Sequence, residues 1–280
     1  MKKKVIEKLE CFSKDFKNME KIITFTAIEI KKKYAPKKIG RKRVDITHVL
    51  AGILYRCKMG CSWKFLPKEF GSKSTIHRWF RVFVKENIFE MICVNFMKYL
   101  KKDSLTNQRF IFDGSLIQCV SGNENSIYNI RRGKKCVNRL ISCDEQGMPL
   151  SLIYAKGTAN DTNFLIPLLE KINHNNNFYA HADKGFDSCK NRYEIITRGG
   201  IPFIPMRKFN KNINFLKQKD VHRFKVERTF SWINNFKSLK IITDKLSDSI
   251  FQNTFVAFIV IYSRFLKSNF THWSSLCKLA

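Results

Sequence analysis

Acidic residues are scarce in this 280-residue chain: 23 Asp and Glu stand against 52 Lys and Arg, a formal net charge of +29. With a pI near 9.9 the chain attracts polyanions through its long-range field, and nucleic acid is the commonest such partner. The bland alternative is solubility, or a genome biased toward Lys, Asn and Ile codons. Long apolar runs are missing too. The longest, Phe255 to Tyr262, falls far short of the ~20 residues that a spanning helix needs. The basic start Met1-Lys2-Lys3-Lys4 leads into no secretory apolar core. Nine cysteines, an odd number, include no Cys-x-x-Cys pair. Cys57 and Cys61 lack Cys or His partners at metal-ligand spacing, which sets zinc aside and points to reduced thiols. The expectation is a soluble intracellular protein with no membrane contact. It would be cytoplasmic and nucleoid-associated, or nuclear in a eukaryotic host.

What is present is enough apolar residue, 44 %, for a packed core in one large domain or two ordinary ones. Two regions differ in pattern, with no internal repeat. Residues 1–105 read as helices. Asp45 opens a stripe of Val49, Leu50, Ile53, Leu54 and Cys57 that Gly60 closes. Ser74 is the expected cap of a second helix with Ile76, Trp79, Phe80, Phe83 and Val84 inward. Its other face carries Lys73, Thr75, His77, Arg78, Arg81 and Lys85. This pair loosely resembles a helix-turn-helix module whose Arg78 and Arg81 would meet DNA, and an ordinary solvated face reads equally well. Ile88, Phe89, Ile92, Phe96 and Leu100 form a third stripe.

Residues 106–280 alternate between short apolar runs and helical stripes, the pattern of an α/β domain on a mixed sheet. Strands are expected at 110–113, 137–142, 148–154, 178–183 and 201–204. Helices are expected after Asp161 as a cap, over 188–198, over 221–237 and from 248 to 266.

Two of the strands end in acids, Asp113 after Phe110-Ile111-Phe112 and Asp183 after Phe178-Tyr179-Ala180-His181-Ala182. Ligand sites in open α/β sheets lie beyond the carboxyl ends of strands. A third acid, Glu227, shares a helix face with Arg223 and Phe230. Taken singly, each acid is more readily a turn former or a solvated residue. Taken together they would repel unless a cation sat among them, and Mg²⁺ prefers such hard oxygens. Two such ions about 4 Å apart suit in-line attack at a phosphodiester. His181, close to the second acid, is expected to face the opposite side of the strand rather than act as a ligand. Gly185 allows a close backbone approach at that edge.

These residues carry a resemblance. The segment from Ala51 through Trp63 and Leu66-Pro67, then Phe70-Gly71 and the Ser74 to Phe80 helix, resembles the N-terminal region of bacterial insertion-sequence transposases of the insertion-sequence-five group. Asp113-Gly114-Ser115, Lys134 to Asp161, Ala182-Asp183-Lys184-Gly185-Phe186 and Val226-Glu227-Arg228-Thr229-Phe230 resemble that family's later blocks, in order, over about residues 45–266. The resemblance implies an RNase H-like domain over 106–280 with an Asp-Asp-Glu triad of Asp113, Asp183 and Glu227 holding Mg²⁺ or Mn²⁺, two ions in all. It also implies a helical DNA-binding domain over 1–105. Arg223 matches the family's basic residue, and Asp161 matches a frequent family acid outside the triad. The family usually carries Tyr where this chain has Asp220, and Lys where it has Asn234; Lys237 is a candidate to reach the same phosphate. Lys184 and Arg228 are candidates to line the DNA channel, with solvated surface the equal alternative.

The expected activity is metal-dependent strand cleavage at terminal inverted repeats and joining to target double-stranded DNA, by a homodimer or larger assembly. A catalytically inactive, transposase-derived DNA-binding protein is the competing reading. A nuclease without strand transfer is a third.

Overall fold

Apolar stripes at helical spacing account for most of the first hundred residues. The structure is a computed structural model that describes Val5, Glu7 and residues 19–34, 44–100, 108–174, 176–206 and 224–265. Two compact units emerge, one of Met1–Leu100, Asn235–Leu239 and Asp248–Ala280, the other of Lys101–Asn234 and Lys240–Ser247.

The first unit holds helices α1 (Met19–Lys33), α2 (Ile46–Met59), α3 (Lys73–Lys85) and α4 (Ile88–Leu100). Asp45 caps α2, its side chain accepting from the Thr47 N–H at 3.0 Å. Gly60 ends the helix in the left-handed region at φ 67, where a side chain would be strained. The cap of α3 is Ser72, without a side-chain bond, two residues before the expected Ser74. Ile76, Phe80, Phe83 and Val84 are buried while Lys73, Arg78, Arg81 and Lys85 stay exposed. The amphipathic reading of that helix therefore holds.

The last long helix, α9 (Ser247–Tyr262), clusters with these helices and not with the sheet. It is buried on nearly every side, as a helix apolar all round must be. Its Gln252 is fully buried and accepts from the Phe89 N–H at 3.1 Å, satisfying an orphan donor at the start of α4. Among the described residues the sheet opens with β1 at Gln108, while α9 groups with the N-terminal helices.

The second unit is built on one sheet: β1 (Gln108–Gln118), β2 (Ile127–Asn129), β3 (Lys134–Cys143), β4 (Pro149–Lys156), β5 (Phe178–Ala182) and β6 (Gly200–Phe203). The order is β2-β3-β1-β5-β6, with β4 also paired to β3. Strands β1, β3 and β4 run antiparallel in turn, whereas β5 and β6 join parallel to β1. Helices α5 (Leu165–Glu170) and α6 (Cys189–Thr197) supply the crossovers, and α7 (Phe224–Asn234) and the short α8 (Lys237–Lys240) follow along the chain. A mixed sheet flanked by helices, preceded by a helical region, is what the residue patterns led us to expect.

Strand β1 runs five residues past Asp113, because Ser115 to Gln118 keep pairing with β3. Phe110, Ile111 and Phe112 are at most 2 % exposed, as suits the central strand of the sheet. Among the described residues no helix is long and apolar enough to cross a membrane. Every cysteine among them is a free thiol.

Candidate active site

The site begins with register. Strands β1 and β5 pair in parallel, the last couple being Phe112 with Ala182. Asp113 and Asp183 come one residue later on each, side by side on strands spaced about 4.8 Å apart. Both lie two residues beyond the Ile111–His181 couple, so the pleat gives them one face. Each carboxylate is braced by the backbone N–H that follows it, Gly114 to Asp113 Oδ1 at 2.8 Å and Lys184 to Asp183 Oδ1 at 2.6 Å. Asp183 is the first residue past the strand and caps the turn Lys184–Phe186. Hard oxygen donors at adjacent strand ends are the set that Mg²⁺ or Mn²⁺ takes.

Helix α7 covers the same face. Arg139 lies on β3 opposite Ser115, two residues from the partner of Asp113. Its guanidinium is fully buried, stands 5.4 Å from the Phe230 ring and donates to Asn234 Oδ1 at 2.9 Å. Glu227 is three residues before Phe230 and seven before Asn234, on the stripe that meets Arg139. It is exposed, near the start of the described part of the helix. Among the described residues no group of three or more His, Cys, Asp or Glu stands close enough to hold a metal ion. Asp113 and Asp183 are brought together, and Glu227 shares their face without completing a ready-made cluster. Carboxylates with no cation between them repel.

His181 and Asp183 are two residues apart, so strand alternation does not turn the histidine away as expected. Burial removes it instead: it is 2 % exposed and stacked on Phe203 at 4.7 Å. Lys184, Arg78 and Arg81 are exposed. Arg228 is spent partly within the fold, donating to the Gln146 carbonyl at 2.5 Å and lying 5.1 Å from the Trp232 ring. Lys237 begins α8 in the first unit, with its Cβ beside Gly60. Arg223 and Asp220 lie outside the described residues.

Asp161 is the residue that sequence reasoning misassigned. The helix cap is Asn160, whose side chain accepts from the Thr162 N–H at 3.2 Å. The Asp161 carboxylate instead accepts from Asn138 Nδ2 at 2.7 Å. A Cβ at Gly114 would lie 3.4 Å from both of its oxygens, and one at Gly185 would lie 3.4 Å from Oδ2. The acid is therefore wedged between the residue after Asp113 and the turn after Asp183. A glycine inside β1, where strands favour branched residues, was the available signal of such a close approach. Arg139 gave no signal, because a cation in an alternating strand reads as solvated.

On the face that α7 covers, the Thr229 hydroxyl donates to the Gly147 carbonyl at 2.7 Å, pinning α7 to the turn between β3 and β4. Burial pushes the neighbouring Cys143 thiol up to about 12, with the Thr229 hydroxyl pulling the other way.

A mixed sheet with an acid at its parallel edge, and a helix laid over the same face, fits an RNase H-like domain. Comparison with known proteins agrees. The family described as "Transposase DDE domain" matches residues 105–261, and "Putative transposase of IS4/5 family" matches residues 27–93. The "Putative transposase for insertion sequence element IS402" of Burkholderia cepacia is 28 % identical over 152 residues, 51 % of this chain and 69 % of that protein. The chain belongs to the DDE transposase family, among the bacterial insertion-sequence transposases, and its sheet domain is RNase H-like.

Proposed function

We propose that the chain cuts and joins DNA at the ends of an insertion sequence, with Asp113, Asp183 and Glu227 as ligands of two Mg²⁺ or Mn²⁺ ions. The observation that carries this is the β1–β5 register, which sets Asp113 beside Asp183 at the carboxyl edge of the sheet. Bound there, the ions would supply an activated water or 3′-hydroxyl and stabilise the leaving oxygen of an in-line attack at phosphorus. The chain itself contributes position. Gly114 and Lys184 N–H groups orient the two aspartates, and α7 brings Glu227 to their face. Arg223, Lys184 and Lys237 would hold backbone phosphates. Arg78 and Arg81 on the exposed face of α3 would meet the terminal inverted repeats, so the N-terminal helices would serve as the DNA-binding part and the unit built on the sheet as the catalytic part. Pairing two ends implies a homodimer or more on DNA, acting at the nucleoid.

Cleavage of a labelled repeat-end duplex tests the reading. Mg²⁺-dependent nicking by the wild type, abolished by Asp113→Ala, supports it, and joining of the nicked end to a second duplex separates transposition from hydrolysis. Failure of both proteins to cut while both bind equally contradicts it.

A second reading, a DNA-binding protein that no longer turns over, is favoured by Asn234. The family places a Lys there, and here the amide is tied to the buried Arg139 rather than offered to DNA.

A further inference from the structure

The segment between β1 and β3 forms a basic arm that the triad does not use. It rises from β1, turns through β2, passes a short helical turn at Ile130–Arg132 and returns as β3. Six consecutive residues, Ile130 to Lys135, are exposed, and four of them are cations: Arg131, Arg132, Lys134 and Lys135. Among the described residues no carboxylate pairs with any of the four. Ile130 at the tip is 89 % exposed, and Tyr128 on the adjoining strand is 57 % exposed. An isoleucine held in water among four uncompensated cations is not a packing residue. Solubility alone would call for no apolar tip.

The arm is also held rigidly. Asn129 accepts from the Arg132 N–H at 3.1 Å and donates to the Gly157 carbonyl at 3.1 Å. Gly133 makes the return turn at φ 61, with open space around it. At the base, Ser121 donates to the Asp244 carbonyl at 3.1 Å, Asn123 to the Lys245 carbonyl at 2.8 Å and Asn125 to Ser247 Oγ at 2.9 Å. A surface held this way loses little entropy on binding.

Its place gives the occupant. The arm joins the sheet where Gln118 pairs with Cys136, five residues beyond Asp113 along β1 and toward the same edge as the acids. At roughly 3.3 Å per residue that is about 17 Å. Duplex DNA carries one negative charge per about 1.7 Å of axis, so the span corresponds to about five base pairs.

We propose that the hairpin of residues 127–135, whose root already lies about 17 Å from Asp113, grips duplex DNA at least about five base pairs from the phosphate held by the acids. Arg131, Arg132, Lys134 and Lys135 neutralise phosphates, and Ile130 seats in the groove between them, as apolar side chains of minor-groove binders do. The inference rests on the proposed DNA-cutting function and adds a site to it.

The test is binding of full-length protein to a 30-base-pair duplex in EDTA, followed by fluorescence anisotropy over a salt series. Each phosphate left without its cation makes the slope of log K against log salt shallower by about 0.9. Arg131→Ala/Arg132→Ala is expected to lose about 1.8 from the slope, and Lys134→Ala/Lys135→Ala a similar amount. Lys190→Glu, an equal change of net charge on α6, is expected to leave the slope as it was. Equal slopes in wild type and both double variants, or an equal loss in Lys190→Glu, overturn the arm while leaving the DNA-cutting reading intact. A wild type that binds no duplex at all overturns both.

Discussion

Asn138 donates to Asp161 across 2.7 Å, and the carboxylate it holds rests against Gly114 and Gly185, the residues that lead away from Asp113 and Asp183. One hydrogen bond from β3 therefore steadies an acid that touches both strand ends. Supporting groups of this kind typically cost 10–100-fold in metal affinity or activity when removed. Asp161→Ala is expected to slow Mg²⁺-dependent cleavage by about that factor while duplex binding in EDTA stays unchanged. Asp161→Asn keeps an oxygen for Asn138 and is expected to recover most of the rate. Equal loss in both variants would reduce Asp161 to bulk packing, and no loss in either would remove it from the site.

Gly114 tests the same wedge from the other side. A Cβ there would stand 3.2 Å from Asn138 Oδ1 and 3.4 Å from the Asp161 oxygens. Gly114→Ala is expected to cost about 1–3 kcal/mol of stability, the usual range for overpacking. Urea unfolding reads it, and an unchanged midpoint would show that the wedge yields freely.

Arg139 and Asn234 give the third expectation. The guanidinium is fully buried, burial lowers its pKa from the ordinary arginine value, and the Tyr154 hydroxyl acts against that shift. Asn234→Lys would restore the residue usual in the family and set an ammonium beside this guanidinium. The variant loses an acceptor and gains a like charge, so a destabilisation of about 1–3 kcal/mol is expected. A more stable Asn234→Lys protein would mean that Arg139 is not held as described.

Cys143 gives a pH dependence. Burial raises its thiol from 9.0 to about 12 in the folded chain. An acid with a raised folded pKa stabilises the fold fully below its ordinary value, and that stability is lost as pH climbs from there toward the raised value. The Tm advantage of wild type over Cys143→Ala should therefore shrink between about pH 9 and 11. Maleimide at about pH 8 should label the exposed Cys189 and leave Cys143 unmodified. A constant Tm difference across that range would contradict the assignment.

Much of the fold was legible because apolar periodicity reports burial directly. Residues 110–113 and 178–183 read as strands, and they supply the adjacent parallel pair that sets the two aspartates side by side, with Asp183 just past the end of its strand. The stripe Ile76, Trp79, Phe80, Phe83 and Val84 read as the inner face of a helix; all of it is buried except Trp79, which is half-buried. What escaped depends on partners distant in sequence. Strand β2 is three residues long and exists through pairing with β3, so no period could announce it. Helix α9 was legible as buried, but the unit that buries it was not. Asp161 looked like a cap because Asn160, beside it, has the same chemistry, and only the approach of Asn138 from another strand tells them apart. Arg139 looked solvated because nothing local shows that Phe230 and Asn234 will cover it.

Divalent-ion binding most directly tests the claim that Asp113, Asp183 and Glu227 make one site. Mn²⁺ titration of the full chain with a repeat-end duplex, followed by paramagnetic resonance, counts the ions and their affinity. The account expects two bound ions in the wild type, and Asp113→Asn, Asp183→Asn and Glu227→Gln each to weaken Mn²⁺ by tenfold or more. Wild-type affinity in Glu227→Gln, or no saturable Mn²⁺ at all, would contradict it.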